Sequence, residues 1–380
     1  MINVFQPSMS DAELDAVRAV FQAGWLGPGP RLDEFRSAFA RHLGVPAGEL
    51  LSVGTCTEGL FQAIAALDLS PGDSVVLPTV SFVGAANAVL AAGAEPVFCD
   101  VDPRTLNPRV EHIEAALTPR TRAVIVLHFG GFPGWIDGIA RLAHERGIVL
   151  VEDAACAVGS SLHGRMCGTF GDIGVWSFDA MKILATGDGG MLRASDSAVA
   201  ERVRRHTYVG IQAAGMAMAR NDARPWWEVD PSLPGRHSRM NDLTASIGLV
   251  QLGRLPALLA RRAEIATRYS GALRELDWLT LPPDPAVGST VGWYFYWVQT
   301  APGTRDALAR YLLERGVYTT FRYWPLHRTR LYADARPFPG ADQGADTTLL
   351  LPLHASLTDA DVEAVITAVC GFRQRESAPT

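Results

Sequence analysis

Short apolar runs alternate with amphipathic stretches through the first half of the chain, from Leu50 onward. Strands that alternate with helices predict an α/β fold with a mostly parallel sheet covered on both faces. No helix separates the last two predicted strands, so one of them is expected to run antiparallel. The predicted strands are Leu50–Val53, Ser74–Leu77, Glu95–Phe98, Ala123–Leu127, Val149–Glu152, Ile173–Ser177 and Gly190–Arg193. The predicted helices between them are Glu58–Leu67, Gly84–Ala92, Pro108–Ala116 and Gly134–Glu145.

The two ends of the chain add further elements. The first helix is predicted to begin at an N-cap, Ser10, and to end near Gly24. We expect a large domain over residues 1–245 and a smaller C-terminal α+β domain over residues 246–380, linked by a long helix. The additional predicted helices are Ser10–Ala23, Arg31–Leu43, Asn241–Leu276, Thr304–Arg315 and Thr358–Val369, and the additional strands are Val291–Gln299 and Tyr318–Thr320.

The composition is that of a soluble globular protein, with 48% hydrophobic and 19% charged residues. The net charge is −6 and no basic stripe is visible, so a nucleic-acid partner is not expected. The start of the chain lacks a secretory-signal pattern, and no apolar run reaches the roughly 18 residues of a membrane span. A cytoplasmic protein without a membrane partner is therefore expected. The five cysteines include no C-x-x-C pair, so neither a disulfide framework nor a metal site is predicted.

Lys182 is the only lysine among 34 basic residues; the other 33 are arginines. A coding bias toward arginine accounts for the excess but not for the one position that kept lysine. Arginine replaces lysine on a solvated surface but not where an amine must react, because guanidinium stays protonated. Lys182 is therefore a candidate nucleophile. The alternative is a surface lysine that precedes a glycine-rich turn.

Two candidate residues lie close to the carboxyl ends of predicted strands, where open α/β sheets bind their ligands. Asp153 follows the strand Val149–Glu152 and could face a pyridine nitrogen, or simply cap a turn. Ser177 ends a strand five residues before Lys182, and its hydroxyl could bind phosphate. An apolar wall beside Lys182 is expected to lower the pKa of its amine.

Two strand-to-helix turns add weaker candidates. Thr57 lies in the first turn of a predicted helix, where free N–H groups and a hydroxyl suit a phosphate, although any such turn looks similar. Phe82 follows the next strand and could stack on a flat ring at the same sheet edge, or belong to the core.

Taken together, these residues carry a resemblance to the DegT/DnrJ/EryC1/StrS family of pyridoxal phosphate (PLP)-dependent sugar aminotransferases. The family has the aspartate aminotransferase-like, type I fold of PLP enzymes. The order and spacing of the motifs resemble the family over nearly the whole chain. The matching segments are Gly27–Gly29, Cys56–Leu60, Phe82 with Ala86–Asn87, Glu152–Ala157, Gly168–Asp172, Trp176–Lys182, Thr186–Gly190 and Pro352–His354.

The resemblance implies a role for each cofactor residue. Lys182 would hold PLP as a Schiff base and carry the proton, Asp153 would pair with the pyridinium nitrogen, and Phe82 would stack on the ring. Cys156 falls where many members have Gln or His against the hydroxyl face of the cofactor. A thiol is a weak donor, so packing is its alternative role. The residues implied for the phosphate are Cys56, Thr57, the backbone at Glu58, and Ser177.

The resemblance also implies a homodimer with shared active sites. A Gly-x-Asn/Lys-x-Arg/Asn stretch of the family crosses to the partner's cofactor or substrate, and it reads Gly235–Arg239 here, with His237 and Arg239 at the contacting positions. His237 replaces the usual Asn or Lys, and an ordinary surface histidine is the alternative. Arginines such as Arg236, Arg239 and Arg322, with Tyr323 and Trp324, could hold a diphosphate and stack a base of the substrate, although most surface arginines do neither.

The reaction implied is transfer of an amino group, usually from glutamate, to the keto carbon of a nucleotide-linked sugar. A dehydratase branch of the family has His in place of the lysine, and Lys182 argues against it. Segments such as Thr207–Ile211, Trp226 and Met240–Asp242 resemble enzymes that aminate dTDP-4-keto-6-deoxyglucose to dTDP-4-amino-4,6-dideoxyglucose. The alternatives are an aminocyclitol ketone, a 3-keto sugar, an aldolase or decarboxylase reaction, and a non-catalytic PLP-binding regulator.

Overall fold

The computed structural model describes residues 1–211, 225 and 227–372. Trp226, which the resemblance includes, lies outside the described residues. The strand Gly190–Ala194 (β9), one of the two strands of which one was expected to run antiparallel, is antiparallel to both of its neighbours, and the remaining pairs of the seven-stranded sheet are parallel. The predicted α/β architecture is confirmed. The sheet has the order β1-β9-β8-β5-β4-β2-β3, with strands β1 Leu50–Val53, β2 Ser74–Pro78, β3 Glu95–Cys99, β4 Thr121–Leu127, β5 Val149–Asp153, β8 Ile173–Ser177 and β9 Gly190–Ala194.

Helices lie between the parallel strands and before the sheet. The first helix begins after Ser10, whose backbone N–H donates to Glu13 Oε2 over 2.8 Å, and it ends at Gly24 in the left-handed conformation. Both ends therefore follow the capping residues from which they were predicted. The helices of this part are α1 Asp11–Ala23, α2 Pro30–Leu43, α3 Cys56–Ala65, α4 Val83–Ala91, α5 Val110–Ala116, α6 Ile136–Arg146 and α7 Ser197–His206.

A second, three-stranded antiparallel sheet and its helices form a separate hydrophobic core in the C-terminal part. Two strand predictions are wrong here. Residues 291–295 of the predicted strand Val291–Gln299 are not in a strand, because Trp293 turns the backbone into the left-handed region at φ +50°. Of Tyr318–Thr320, only Thr320 pairs, in a single bridge with Leu350. The elements of this part are α8 Asp242–Leu273, β10 Leu279–Thr280, β12 Tyr296–Thr300, α9 Arg305–Glu314, α10 Pro339–Thr347, β13 Thr348–Leu351 and α11 Asp359–Cys370.

A short sheet of two-residue strands, in the order β11-β6-β7, joins residues from the two parts of the chain. Its strands are β6 Ser161–Leu162, β7 Arg165–Met166 and β11 Ser289–Thr290. The first residues of the chain also bond to the C-terminal part, since Ile2 pairs with Val317 and Val4 accepts from the Leu353 N–H. A domain division near residue 245 remains a prediction.

Among the described helices, α8 alone has the length and apolar character that a membrane span requires. It packs against α1, α2 and α11, and residues such as Leu255 and Ile265 on it are buried in the two hydrophobic cores. Through these contacts α8 connects the two hydrophobic cores.

Candidate active site

A cavity of about 230 Å³ lies at the carboxyl ends of β5 and β8, beside the start of α3. Eight residues that the sequence analysis singled out line it together, although Cys56 and Tyr323 are 267 positions apart along the chain. The predicted lining residues are Cys56, Thr57, Phe82, Asp153, Ser177, Lys182, Arg322 and Tyr323. The other lining residues are Thr55, Leu60, Ala155, Asp179, Met181 and Asp188.

Asp153 is the last residue of β5, and its side chain is fully buried against the cavity. Its Oδ1 accepts from the Ala155 N–H at 3.1 Å, which fixes the carboxylate at the strand end. Burial raises the pKa of the Asp153 carboxyl, and the nearby Lys182 ammonium only partly offsets this. A carboxylate in this place is therefore best stabilised by a further positive charge.

Lys182 is carried by a compact loop between β8 and β9. Backbone hydrogen bonds tie this loop, among them those from the N–H groups of Phe178, Ala180 and Thr186 to the carbonyls of Gly189, Gly187 and Phe178. Gly187 and Gly189 both have positive φ, of +90° and +147°, so these turns favour glycine. The glycine-rich turn that follows Lys182 in the sequence therefore shapes the loop, and this loop directs the lysine into the cavity.

The amine of Lys182 lies 3.3 Å from the phenol oxygen of Tyr294. Burial acts to lower the pKa of Lys182, but the Tyr294 and Tyr323 phenols and the Cys156 thiol raise it, and the net pKa lies well above its usual range. The expectation of a lowered pKa is wrong for this structure, because polar groups from distant parts of the chain surround the amine in place of the expected apolar wall.

The amino end of α3 points at the cavity. Thr55 is the N-cap, and its Oγ1 accepts from the Glu58 N–H at 2.9 Å. The N–H groups of Cys56 and Thr57 belong to the first helical positions, which have no partner within the helix. These two residues can donate to an anion, whereas the predicted backbone donor at Glu58 is already engaged by the cap. Ser177 reaches the cavity from the end of β8.

Phe82 and Tyr323 form an aromatic corner of the cavity. Their rings are 5.7 Å apart in an edge-to-face arrangement, and Phe82 keeps 40% of its surface exposed. A Cβ at Gly84 would lie 3.0 Å from both Phe82 and Thr57, so the glycine allows these two side chains to approach. The corner presents a ring face beside the start of α3.

Cys156 is buried behind the cavity lining, and its Sγ lies 4.0 Å from the Tyr323 hydroxyl. Burial raises the pKa of its thiol to about 11, with Lys182 opposing the shift. Cys156 is thus a neutral thiol at neutral pH that packs against Tyr323.

Three residues of the stretch Gly235–Arg239, which is predicted to cross to a partner subunit, lie away from this cavity in the same chain. Arg236 Nη1 pairs with Glu58 Oε2 at 3.3 Å. The imidazole of His237 lies 5.6 Å from the Tyr208 ring, and the Arg239 guanidinium lies 4.1 Å above the same ring. Glu58 also lies outside the cavity lining. Their predicted contacts across a dimer remain predictions.

Sequence reasoning missed Tyr294, the side chain that touches the lysine amine. It lies in the aromatic run that was interpreted as part of one strand, and nothing in that run distinguishes it from its neighbours. It also missed Thr55 as the cap of α3, for which the signal was available: a Thr three residues before Glu58 is a common N-cap pattern.

The residues present fit PLP. The cavity offers an amine on Lys182 for covalent attachment, a buried carboxylate on Asp153 for a pyridinium nitrogen and an aromatic face on Phe82. The first N–H groups of α3, with Thr57, supply a site for a phosphate. The donor set therefore matches the amine-, anion- and ring-binding needs of that cofactor.

Comparison with known proteins shows one family over nearly the whole chain. The model of the DegT/DnrJ/EryC1/StrS aminotransferase family matches residues 7–370. The dTDP-4-dehydro-2,3,6-trideoxy-D-glucose 4-aminotransferase of Saccharopolyspora spinosa is 50% identical over 366 residues, which are 96% of this chain and 95% of the relative.

Two solved structures share the fold at high coverage. The aminotransferase TlmJ from Streptoalloteichus hindustanus is 55% identical with a TM-score of 0.93, covering 97% of this chain and 98% of that one. The sugar aminotransferase CalS13 from Micromonospora echinospora is 29% identical with a TM-score of 0.88, covering 98% and 100%.

Proposed function

Because the chain belongs to the DegT/DnrJ/EryC1/StrS aminotransferase family, we propose that it transfers an amino group from glutamate to the C4 ketone of a dTDP-linked 6-deoxysugar. It is a PLP-dependent sugar aminotransferase with the type I fold of such enzymes. Amination of dTDP-4-keto-6-deoxyglucose to dTDP-4-amino-4,6-dideoxyglucose is the specific reaction proposed. The name of the Saccharopolyspora relative supports C4 as the aminated carbon and dTDP as the carrier.

The observation that carries the proposal is the meeting of Lys182 and Asp153 in one cavity. One is the chain's only lysine, and the other is a fully buried carboxylate with a raised pKa. Bound PLP supplies an electron sink that makes the donor's C–H bond acidic and carries the amino group between the two half-reactions. Asp153 supports this by holding a negative charge beside the ring nitrogen.

The other residues position the reactants. Lys182 Nζ moves the proton between the substrate carbon and the cofactor carbon in each half-reaction. Phe82 would cover one face of the cofactor ring, and the N–H groups of Cys56 and Thr57, with Ser177, would hold its phosphate. Cys156 packs behind Tyr323 rather than donating a strong hydrogen bond.

The sugar nucleotide would enter past Arg322 and Tyr323, which line the cavity. Arg322 offers a planar donor set suited to a diphosphate, and Trp324, 47% exposed, offers a surface for the base. In a homodimer, Arg236, His237 and Arg239 would reach the partner's site. We also propose that the protein assembles as this homodimer, uses glutamate as the amino donor and is located in the cytoplasm.

Absorption spectroscopy of the purified enzyme tests the half-reaction. Glutamate alone should abolish the pyridoxal absorption band, and a dTDP-4-keto-6-deoxysugar should restore it. A cofactor that stays in the aldehyde form with every amino donor offered contradicts transamination. Presenting 4-keto sugars with and without hydroxyls at C2 and C3 then separates the 6-deoxy substrate from a trideoxy one. A 3-keto sugar and an aminocyclitol ketone serve as the competing acceptors.

Borohydride reduction tests the assignment of Lys182. The reduced cofactor should be found on the peptide that contains Lys182, and the chain has no second lysine to receive it. A label found only on the N-terminal amine would remove the proposed attachment site.

A further inference from the structure

Tyr294 makes the closest polar contact to the lysine amine that the structure describes. Its hydroxyl lies 3.3 Å from Lys182 Nζ, and the same Nζ lies 4.5 Å from the centroid of its ring. The side chain is 1% exposed, so the contact is shielded from water. An amine in this position meets both a hydroxyl dipole and the negative ring face, which together favour a defined place for Nζ.

The backbone around Tyr294 is fixed from several sides. The Tyr294 N–H donates to Gly130 O at 3.0 Å. The buried Arg262 donates to Trp293 O and to Tyr294 O, both at 2.9 Å. Trp293 itself has a φ of +50°, a region that bulky residues adopt at a cost of about 1–3 kcal/mol. The hydrogen bonds around Trp293 offset this cost. The backbone direction that results turns the next side chain, Tyr294, toward Lys182.

The ring is held as well as the backbone. Phe5 stacks on Tyr294 with centroids 5.6 Å apart and planes only 17° from parallel. The stack restricts rotation of the ring and so restricts where the hydroxyl can lie. Tyr294 therefore has a fixed position that does not depend on the mobility of the lysine.

We propose that Tyr294 is the positioning residue for Lys182, holding Nζ in place whenever the amine is not bonded to the cofactor. A phenol can do so in both protonation states of the amine. It accepts from the ammonium that carries the proton, and it donates to the neutral amine that has delivered it. The inference rests on the proposed function, because it assigns Lys182 as the proton carrier.

Loss of the Tyr294 hydroxyl should change the rate of the half-reaction more than the affinity for glutamate. Without the hydroxyl, the flexible lysine side chain samples more rotamers, and proton transfer to and from the substrate carbon slows. Tyr294→Phe should therefore slow the half-reaction with glutamate by about 10–100-fold, with the KM for glutamate changing less than about twofold. The deuterium isotope effect with α-deuterated glutamate should rise, because proton transfer becomes more rate-limiting.

Tyr296→Phe is the matched control. Tyr296 is a fully buried tyrosine two positions further on, and its hydroxyl bonds to Ser270 Oγ at 3.0 Å instead of to the lysine. It should cost stability as Tyr294→Phe does but leave the isotope effect unchanged. Phe5→Leu gives a second variant that loosens the ring without touching the hydroxyl, and it should shift the isotope effect in the same direction by a smaller amount.

A second readout needs no turnover. With lysine labelled with ¹³C at Cε, the single lysine gives one side-chain signal, which should move toward the random-coil shift in the cofactor-free Tyr294→Phe protein but not in Tyr296→Phe. A Tyr294→Phe enzyme with wild-type half-reaction rate, isotope effect and Cε signal overturns the inference. A wild-type enzyme that shows no conversion with glutamate overturns the proposed function instead, so the two failures are distinguishable.

Discussion

His128 Nε2 lies 2.8 Å from Glu152 Oε2, and both side chains are completely buried. Glu152 also accepts the backbone N–H groups of Gly168 and Gly171, at 2.7 and 2.5 Å. The His128 backbone N–H in turn donates to the carbonyl of Asp153. One carboxylate therefore joins the end of β4 and the turn before β8 directly behind the residue proposed to face the cofactor nitrogen.

Glu152→Gln should lower the free energy of unfolding by about 3 kcal/mol, because it removes one charge of a buried pair and turns an amide toward the two backbone donors. Chemical denaturation at neutral pH measures the change. Glu111→Gln, at a side chain 67% exposed, should change stability by less than about 0.5 kcal/mol and serves as the control. Equal effects of the two variants contradict a buried ion pair.

The same pair predicts an alkaline loss of stability. Burial acts to lower the pKa of His128, but Cys167 and Glu152 raise it, and the net pKa lies well above the usual range. Since a raised histidine pKa favours the folded state most when the group is protonated, this contribution is complete below about pH 6.5 and is lost as pH rises through the raised pKa. If the wild-type protein and Glu152→Gln lose the same amount of unfolding free energy as the pH rises, the His128 contribution is ruled out.

Asp153→Asn should separate activity from stability. The half-reaction with glutamate should slow by roughly 10²–10³-fold, because the amide no longer stabilises a protonated ring nitrogen. The cofactor-free variant should nevertheless unfold at a higher temperature at pH 7, since burial raises the pKa of Asp153 and its ionised form disfavours the fold above that pKa. Below the usual carboxyl pKa the two proteins should converge, and a destabilised variant at pH 7 refutes the argument.

Glu13 predicts the acid limit of stability. Burial acts to raise the pKa of its carboxyl, but hydrogen bonds from Ser10, Arg254 and Gln251 lower it to about 2. The stabilisation is present above about pH 4.5 and is lost as pH falls toward 2. Glu13→Gln should lower the free energy of unfolding by about 2 kcal/mol at pH 7, because solvent at the partly exposed Arg254 screens part of the full effect. This difference should vanish near pH 2. Glu34→Gln, on an exposed pair, is the control.

Phe82→Leu should weaken binding of PLP to the cofactor-free enzyme by about 2- to 10-fold, the worth of one aromatic stacking contact. Absorbance titration with PLP measures the dissociation constant. Val83→Ala is the control, because Val83 has the same 40% exposure but does not line the cavity. Stability should change little in either variant, and an unaltered dissociation constant in Phe82→Leu argues against ring stacking.

The features that could be predicted from sequence are the ones encoded locally. The strands Leu50–Val53 and Ile173–Ser177 have the predicted bounds, because each is a largely buried and mostly apolar run with a local signal at its end: Gly54 follows the first strand, and the polar Ser177 ends the second. Asp153 could be predicted because it follows a predicted strand and the strand ends of a parallel sheet meet at one edge, whereas Lys182 could be predicted because it is the only lysine of the chain.

The missed features depend on distant contacts. Tyr294 reaches a lysine 112 positions away through a backbone turn at Trp293 that no neighbouring residue signals. Thr348–Leu351 was missed as a strand because it follows α10 directly, without a turn residue to mark where it begins. Its partner Tyr296–Thr300 lies some fifty residues earlier, so the pairing leaves no local periodicity.

Because Lys182 is the only lysine, cleavage at this residue can measure the fraction of chains that carry the cofactor. A protease specific for lysine has one peptide bond to cleave in the unfolded chain, which gives the fragments 1–182 and 183–380. Reductive fixation of the cofactor on that amine removes the recognition element, so a fixed chain stays intact. The share of the total protein that runs as the full-length band on a denaturing gel then equals the fraction of sites that carried the cofactor.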